Sequence, residues 1–276
     1  MRLTSLYRSA LPVTAALAWI WCATGIVFVS AWISHGQAAG TRGALAVFLS
    51  WAITRELAPR RWLASALAPF AGVAFAIPAD TDVLSCVVVL LAARVAARSV
   101  GDPPSRLDAL LLIGLSAGVA MRPVGLPVAL VLAAIVFSDA SAPRSRLTGT
   151  LMLIATLVVG SVEGTLTPRG GWDHHTLAAQ VLMAVSCATA VVLIAWPLPK
   201  QLRVRDDRRR GRLRGTRIRA ARIAVFAAVL ASIPWIGTSA VFELSAASAA
   251  LLAAGLGGAG ARAHVPRSAR ATRATS

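Results

Sequence analysis

A chain of 276 residues that is 57% hydrophobic and 14% charged, with a mean hydropathy of +0.71, lacks the charged surface that a soluble domain of this size needs. The net charge of +17 would suit a nucleic-acid-binding protein, but the basic residues lie between long apolar segments, as in cytoplasmic loops, so no nucleic-acid partner is expected. Because the apolar runs are continuous rather than alternating, the sequence predicts an all-α, polytopic membrane bundle surrounded by the lipid bilayer.

Ten apolar segments are predicted as transmembrane helices. The first has 25 residues and is longer than the apolar region of a signal peptide, so we expect an uncleaved span. Segments 43–54 and 109–121 are shorter than the roughly 20 residues that a spanning helix needs, and whether they cross fully is left open. In chain order the segments are 9–33, 43–54, 62–78, 83–97, 109–121, 123–138, 147–166 and 177–196, followed by two that share 223–261 with a turn near 234–238.

The distribution of basic residues favours ten spans with both termini in the cytoplasm. If all ten segments cross, 25 of the 28 Lys and Arg residues face the cytoplasm. If segment 43–54 does not cross and 109–138 forms one kinked helix, six of them move outside, so that eight lie outside and Arg122 is left in the membrane. Tryptophans at the segment ends match an interfacial belt, with Trp32, Trp172 and Trp235 at outer boundaries and Trp51, Trp62 and Trp196 at inner ones.

The predicted organisation follows from this topology. Residues 1–197 hold spans one to eight, 198–222 form a basic cytoplasmic loop, 223–261 hold the last two spans, and 262–276 form a disordered basic tail. Residues 200–222 contain ten arginines and one lysine against two aspartates, and we expect this loop to become helical towards Thr216. The preference for arginine over lysine is typical of a GC-rich genome, which suggests a bacterial plasma membrane protein.

Three ionisable residues near the predicted outer face are candidate substrate-binding residues, because charges at membrane depth are costly. Glu163, near the outer end of the seventh span, either binds a cation or relays a proton, or it reaches interfacial water. Glu243 begins the tenth span, where a helix N-terminus also favours an acid. Arg122, in the turn of the 109–138 hairpin, either binds an anion, pairs with Glu163 or Glu243, or lies among the outer headgroups.

The potential metal ligands in the outer loops are too weak a signal to predict a metal site. Asp173, His174 and His175, with Glu163, offer nitrogen and oxygen ligands, but adjacent histidines do not share a helix face. Asp173 also suits the N-cap of the eighth span. Asp80 and Asp82 are interpreted as a tight outer turn with a cap for the fourth span. The three cysteines are too widely spaced for a zinc or redox motif, so no metal and no cofactor is expected.

Arginine clusters on the cytoplasmic side are candidate contacts for anionic lipid headgroups or an acidic partner. One is the motif TRELAPRRW, residues 54–62, whose alternative is a structural turn with local ion pairs around Glu56. The other lies in the central basic loop. The candidate residues are Arg55, Arg60 and Arg61 in the motif and Arg208, Arg209 and Arg210 in the loop.

Three functional hypotheses are open, of which a membrane-embedded enzyme comes last because no Walker A, GxGxxG or GxSxG motif is present. The first is a small-solute transporter or permease, suggested by the span count and by expected helix breaks at Pro69, Pro127 and Pro234. The second is a non-catalytic scaffold or accessory subunit whose basic loop binds anionic lipid or an acidic partner. The glycine-rich stretch 255–260 is interpreted as close helix packing rather than as a phosphate loop.

Overall fold

The computed structural model describes residues 13–59, 61–76, 81–97, 106–138, 143–166, 177–195, 201–205 and 212–263. Within these ranges the chain forms helices almost throughout, which confirms the all-α fold class. The helices are α1 Val13–His35, α2 Gln37–Leu57, α3 Trp62–Ala76, α4 Val83–Ala97, α5 Arg106–Ala120, α6 Gly125–Ser138, α7 Pro143–Val162, α8 Leu177–Ala195, α9 Gly215–Ile236, α10 Ala240–Glu243 and α11 Ser245–Ala263.

One short β-hairpin interrupts the helical pattern. Strand β1, Gln201–Arg205, pairs antiparallel with strand β2, Arg212–Arg214, inside the basic segment that was predicted to be a loop. Leu202 and Val204 alternate with arginines along β1, which is the period-two pattern of a strand. Helix α9 starts directly after β2 at Gly215, so the prediction that the segment becomes helical near Thr216 is confirmed.

Within the described ranges, three helices are long and apolar enough to cross a membrane, at Ala18–His35, Ser145–Val162 and Gly215–Ile236. Segment 43–54 is part of α2, whose 21 residues span about 31 Å because the helix also includes residues 37–42 and 55–57. Helix α5 has 15 residues and spans about 22 Å, less than the roughly 30 Å of a hydrocarbon core. Segment 43–54 therefore belongs to a helix that is long enough to span the hydrocarbon core, whereas segment 109–121 belongs to a helix that is too short.

An apolar outer layer surrounds a tightly packed interior. In α11 every residue from Ser245 to Leu251 is buried, and α4 and α6 bury most of their length. Large apolar side chains are instead exposed on α1, α5, α7 and α8. They include Trp21, Ile26 and Ile33 on α1, Leu107, Leu110 and Leu111 on α5, Leu151, Ile154 and Val158 on α7, and Val181, Val185 and Val191 on α8.

Glycines allow the inner helices to approach their neighbours closely. A Cβ atom added to Gly257 of α11 would lie 2.6 Å from the backbone nitrogen of Ala64 in α3. One added to Gly255 would lie 2.9 Å from the carbonyl oxygen of Thr189 in α8. The packing interpretation of the glycine-rich stretch is therefore confirmed at these two positions.

The helix breaks expected at the prolines are wrong. Helices α3 and α9 continue through Pro69 and Pro234, and Pro127 lies in the first turn of α6, where proline is tolerated. Near Pro69, Ser50 Oγ donates to the carbonyl oxygen of Ala68 at 2.9 Å, a buried hydrogen bond that joins α2 to α3. The chain breaks instead after α9, at a 3-10 turn from Gly237 to Ser239 that overlaps the predicted turn.

Candidate functional site

Polar contacts gather at two opposite ends of the helices. The Asp82 end comprises the start of α4, the turn between α5 and α6, and the turn between α9 and α11. The Arg222 end comprises the C-terminal turns of α2 and α8, the start of α3 and the first two turns of α9. Each end holds residues that the sequence analysis named as candidate substrate-binding or lipid-binding residues.

Asp82 caps α4, as predicted. It immediately precedes the first residue of the helix, and its Oδ2 accepts a 2.6 Å hydrogen bond from Ser85 Oγ. Its Oδ1 lies 3.5 Å from the backbone nitrogen of Ser85, the third residue of the helix, which is the usual partner of an N-cap carboxylate. The positive end of the helix dipole therefore stabilises a carboxylate that is only 7% exposed.

Arg122 forms an ion pair with that carboxylate. Its NH1 lies 2.5 Å from Asp82 Oδ1, and its side chain is 53% exposed. The turn that carries it is fixed by backbone hydrogen bonds from Arg122 to Val119 and from Gly125 to Arg122. Among the described residues, Arg122 pairs with Asp82, the buried cap of α4. The predicted pairing of Arg122 with Glu163 or Glu243 is therefore wrong.

The junction of α10 and α11 is joined to the start of α4. The backbone nitrogen of Asp82 donates to the carbonyl oxygen of Glu243 at 3.0 Å. Thr81 Oγ1 and Ser245 Oγ lie 2.9 Å apart in a buried hydrogen bond. Glu243 is the last residue of α10 and is partly exposed.

Glu163 lies at the same end, one residue after α7, and is exposed. The segment behind it is anchored, since Thr165 Oγ1 donates to the carbonyl oxygen of Ala120 at 2.9 Å. Trp235 Nε1 in turn donates to the carbonyl oxygen of Thr165 at 2.9 Å. In the described part of the chain the carboxylate of Glu163 forms no ion pair, so the structure does not bring it together with Arg122.

The candidate metal ligands Asp173, His174 and His175 lie outside the described residues, as do Arg60, Arg208, Arg209 and Arg210. Among the residues that are described, no three His, Cys, Asp or Glu side chains gather as a metal site would require. The substrate and lipid candidates that the structure does describe are therefore Arg122, Glu163, Glu243, Arg55 and Arg61.

Arg222 is the most unexpected residue of the opposite end. It is 1% exposed, although the sequence placed it in the basic cytoplasmic loop. Its Nε donates to the carbonyl oxygen of Leu57 at 3.0 Å and its NH1 to that of Leu193 at 2.6 Å. Both carbonyls belong to last turns of helices, α2 and α8, where intrahelical partners are lacking and a positive charge is favoured.

A signal for this burial is present in the sequence. Arg222 occupies the same helical stripe as Ile218 and Val225, spaced four and three residues away, and both of those side chains are buried. The sequence analysis expected a helix from about Thr216 but still counted Arg222 among the charges of the cytoplasmic loop, and it therefore missed the stripe.

Other arginines surround the same helix ends. Arg94 Nε forms a 3.1 Å ion pair with Glu56 Oε1 at the end of α2, where Glu56 is 14% exposed. Arg55 and Arg61 are partly buried on either side of Glu56 in the chain. The backbone nitrogen of Arg61 donates to the carbonyl oxygen of Ala58 at 3.0 Å, which fixes the turn between α2 and α3.

Comparisons with known proteins add no further constraint. No protein-family model, curated protein or solved structure shows a significant match to this chain. The function must therefore be inferred from the chemistry of the Asp82 end and the Arg222 end.

Proposed function

We propose that this chain is a multi-pass integral membrane protein of a bacterial plasma membrane, with α1–α9 and α11 as its ten spans. The exposed apolar side chains of the outer layer support this, because lipid covers such a surface better than water does. In this topology the Arg222 end and both chain termini face the cytoplasm, in agreement with the concentration of arginine there. Short helices such as α5 then require a locally thinner bilayer, or flanking side chains that extend to the interface.

We further propose that the protein transports a small solute and that the Asp82 end is its outward-facing binding site. The observation that carries this proposal is the Asp82–Arg122 ion pair, which joins a buried carboxylate to a half-exposed guanidinium at one end of the bundle. Charges in such a position are costly and usually mark a substrate or ion pathway. The adjacent interruption between α9 and α11 supports the same function, because transporters bind solutes at discontinuous helices.

The groups at this end define the solute that would fit. Arg122 offers a guanidinium for a carboxylate or phosphate group of the solute. Glu163 and Glu243 place negative charge nearby, where an amine of the same solute would be attracted. Small carboxylates and amino acids are therefore the first solutes to test.

The test uses the purified protein and two conservative variants. Solutes from a panel of small carboxylates and amino acids that raise the melting temperature are then assayed for uptake by counterflow in proteoliposomes. We expect Arg122→Gln to abolish uptake while the variant still purifies as a folded protein, and Glu163→Gln to reduce it. The proposal is overturned if no stabilising solute is taken up, or if uptake by Arg122→Gln equals that of the wild type.

A second candidate function is a non-catalytic scaffold or accessory subunit with a basic cytoplasmic face. The convergence of Arg55, Arg61, Arg94 and Arg222 at one end favours it. The two functions differ in one measurable respect. If the protein is a scaffold or accessory subunit, Arg122→Gln would leave its cellular activity unchanged, whereas neutralising Arg208, Arg209 and Arg210 would abolish that activity.

A further inference from the structure

The carboxylate of Asp82 has one cationic partner among the described residues. Its Oδ1 is held by the guanidinium of Arg122, and its Oδ2 accepts a 2.6 Å hydrogen bond from Ser85 Oγ. The side chain of Asp82 is 7% exposed, whereas that of Arg122 is 53% exposed. The ion pair therefore has a buried negative member and a positive member that meets the solvent.

Other ionisable groups around the start of α4 do not replace this partner. Cys86, one turn further along α4, is buried, and Glu243 at the end of α10 is partly exposed. Arg42, in the second turn of α2, and Glu163, after α7, are both exposed. Ionisable side chains are absent from the neighbouring segments 125–138, 223–242 and 244–261. The buried charge of Asp82 thus depends on Arg122 for its compensation.

In the proposed transport function, Arg122 is also the group that binds the solute. A guanidinium holds one carboxylate through two parallel hydrogen bonds, so the carboxylate of a solute competes with Asp82 for the same donors. The solute reaches Arg122 from the exposed side and does not reach Asp82. Once the solute takes the guanidinium, Asp82 is a buried charge without a counter-ion, and such a group is neutralised rather than left ionised.

A proton suits this neutralisation better than a metal cation does. The groups that contact the carboxylate are donors, because Ser85 Oγ donates to Oδ2 and the backbone nitrogen of Ser85 lies 3.5 Å from Oδ1. The hydroxyls of Thr81 and Ser245 are hydrogen-bonded to each other at 2.9 Å. A hard cation takes about six oxygen ligands. A proton needs only Oδ1, the oxygen that Arg122 vacates.

We propose that Asp82 couples transport to protons: it takes up one proton when a solute carboxylate binds Arg122. The proton comes from the outer water, an O–H bond forms on Oδ1 as the contact with Arg122 is lost, and the guanidinium stays protonated. One negative charge arrives with the solute carboxylate and one is neutralised on Asp82, so the net charge of the site does not change. The inference rests on the proposed transport function and makes it a symport of the solute with one proton.

The first test measures proton uptake when a solute binds to the purified full chain. The probes are L-lactate and L-alanine, a monocarboxylate and an amino acid, added in weakly buffered detergent solution with a pH indicator. We expect one proton to be taken up for each probe molecule bound, and the apparent Kd to rise by up to about tenfold for each unit of increasing pH. Binding without proton uptake, or no proton uptake with either probe, would overturn the proposal without any variant being needed.

Two variants then assign the proton to one carboxylate. Asp82→Asn keeps an oxygen that can cap α4 but cannot hold Arg122 by charge, so its Kd should be lower than that of the wild type and independent of pH, with no proton taken up. The matched control is Glu163→Gln, which removes an exposed carboxylate at the same end. Glu163→Gln should still take up one proton and keep the pH dependence, even where its affinity falls. Loss of proton uptake in Glu163→Gln, or its retention in Asp82→Asn, would overturn the assignment to Asp82.

Uptake by proteoliposomes separates this inference from the transport proposal. An inward proton gradient should concentrate the probes inside the vesicles, after subtraction of uptake by protein-free vesicles. Counterflow without accumulation driven by protons would leave transport standing and overturn the coupling. Accumulation driven by a sodium gradient at equal pH would assign the coupling to sodium and overturn it as well. If no solute of the panel shows counterflow, transport itself is wrong, and the coupling is wrong with it.

Discussion

Arg222 and Leu57 lie 165 positions apart in the chain, yet Nε of the arginine donates a 3.0 Å hydrogen bond to the carbonyl oxygen of the leucine. The same guanidinium reaches Leu193, so one side chain joins the ends of α2 and α8 to α9. Arg222, which the sequence analysis assigned to a cytoplasmic loop, is therefore a buried link between three helices.

The first prediction concerns this junction. Arg222→Met fills a similar volume but leaves two buried carbonyl oxygens without their donor, so we expect the free energy of unfolding to fall by about 3 kcal/mol. The measurement is reversible unfolding of the purified protein in zwitterionic detergent. Arg219→Met, one turn away and exposed, is the control and should change stability by less than about 0.5 kcal/mol. Equal stability of the two variants would contradict the role given to Arg222.

The second prediction separates the cap of α4 from the ion pair. Asp82→Asn retains an oxygen that can cap the helix but removes the charge, whereas Asp82→Ala removes both, so we expect alanine to be worse by about 1 kcal/mol. A double-mutant cycle of Asp82→Asn with Arg122→Gln should give a coupling energy of about 1 kcal/mol that falls at high salt, because Arg122 is half-exposed. Independent, additive effects would show that the pair does not contribute.

The third prediction concerns close helix packing. Gly257→Ala would bring a methyl group to within 2.6 Å of the Ala64 backbone, so α11 and α3 must separate and the melting temperature should fall. Gly114→Ala is the matched control, since nothing lies within 4 Å of a Cβ added there and alanine favours a helix by up to about 1 kcal/mol. A melting temperature that falls in Gly114→Ala, or rises in Gly257→Ala, would contradict the packing described here.

Local signals predict several elements correctly. Helix α4 has the bounds expected from its apolar run, because Asp82 supplies an N-cap immediately before Val83. The length of helix α2 was underestimated, since hydropathy does not detect its first six residues, which include Thr41 and Arg42. The β1–β2 hairpin was missed because its alternation is short and lies within a run of arginines.

The candidate site could be predicted only in part. The sequence singled out Arg122 and proposed Asp82 as a cap, but it did not join them, because the pairing depends on how α4 packs beside the α5–α6 turn. The burial of Arg222 likewise depends on the carbonyls of Leu57 and Leu193, which belong to two distant helices. Local periodicity cannot identify partners that tertiary packing brings together.

The central claim is that the Asp82 end faces outwards and the Arg222 end faces the cytoplasm. The most direct test is cysteine labelling with a membrane-impermeant maleimide, after Cys22, Cys86 and Cys187 have been replaced by alanine. Single cysteines at two exposed positions, Glu163→Cys and Arg219→Cys, report on the two ends. We predict that Glu163→Cys is labelled in intact cells and Arg219→Cys only after the membrane is permeabilised. Labelling of both positions in intact cells, or of Arg219→Cys alone, would contradict the topology and with it the outward-facing site.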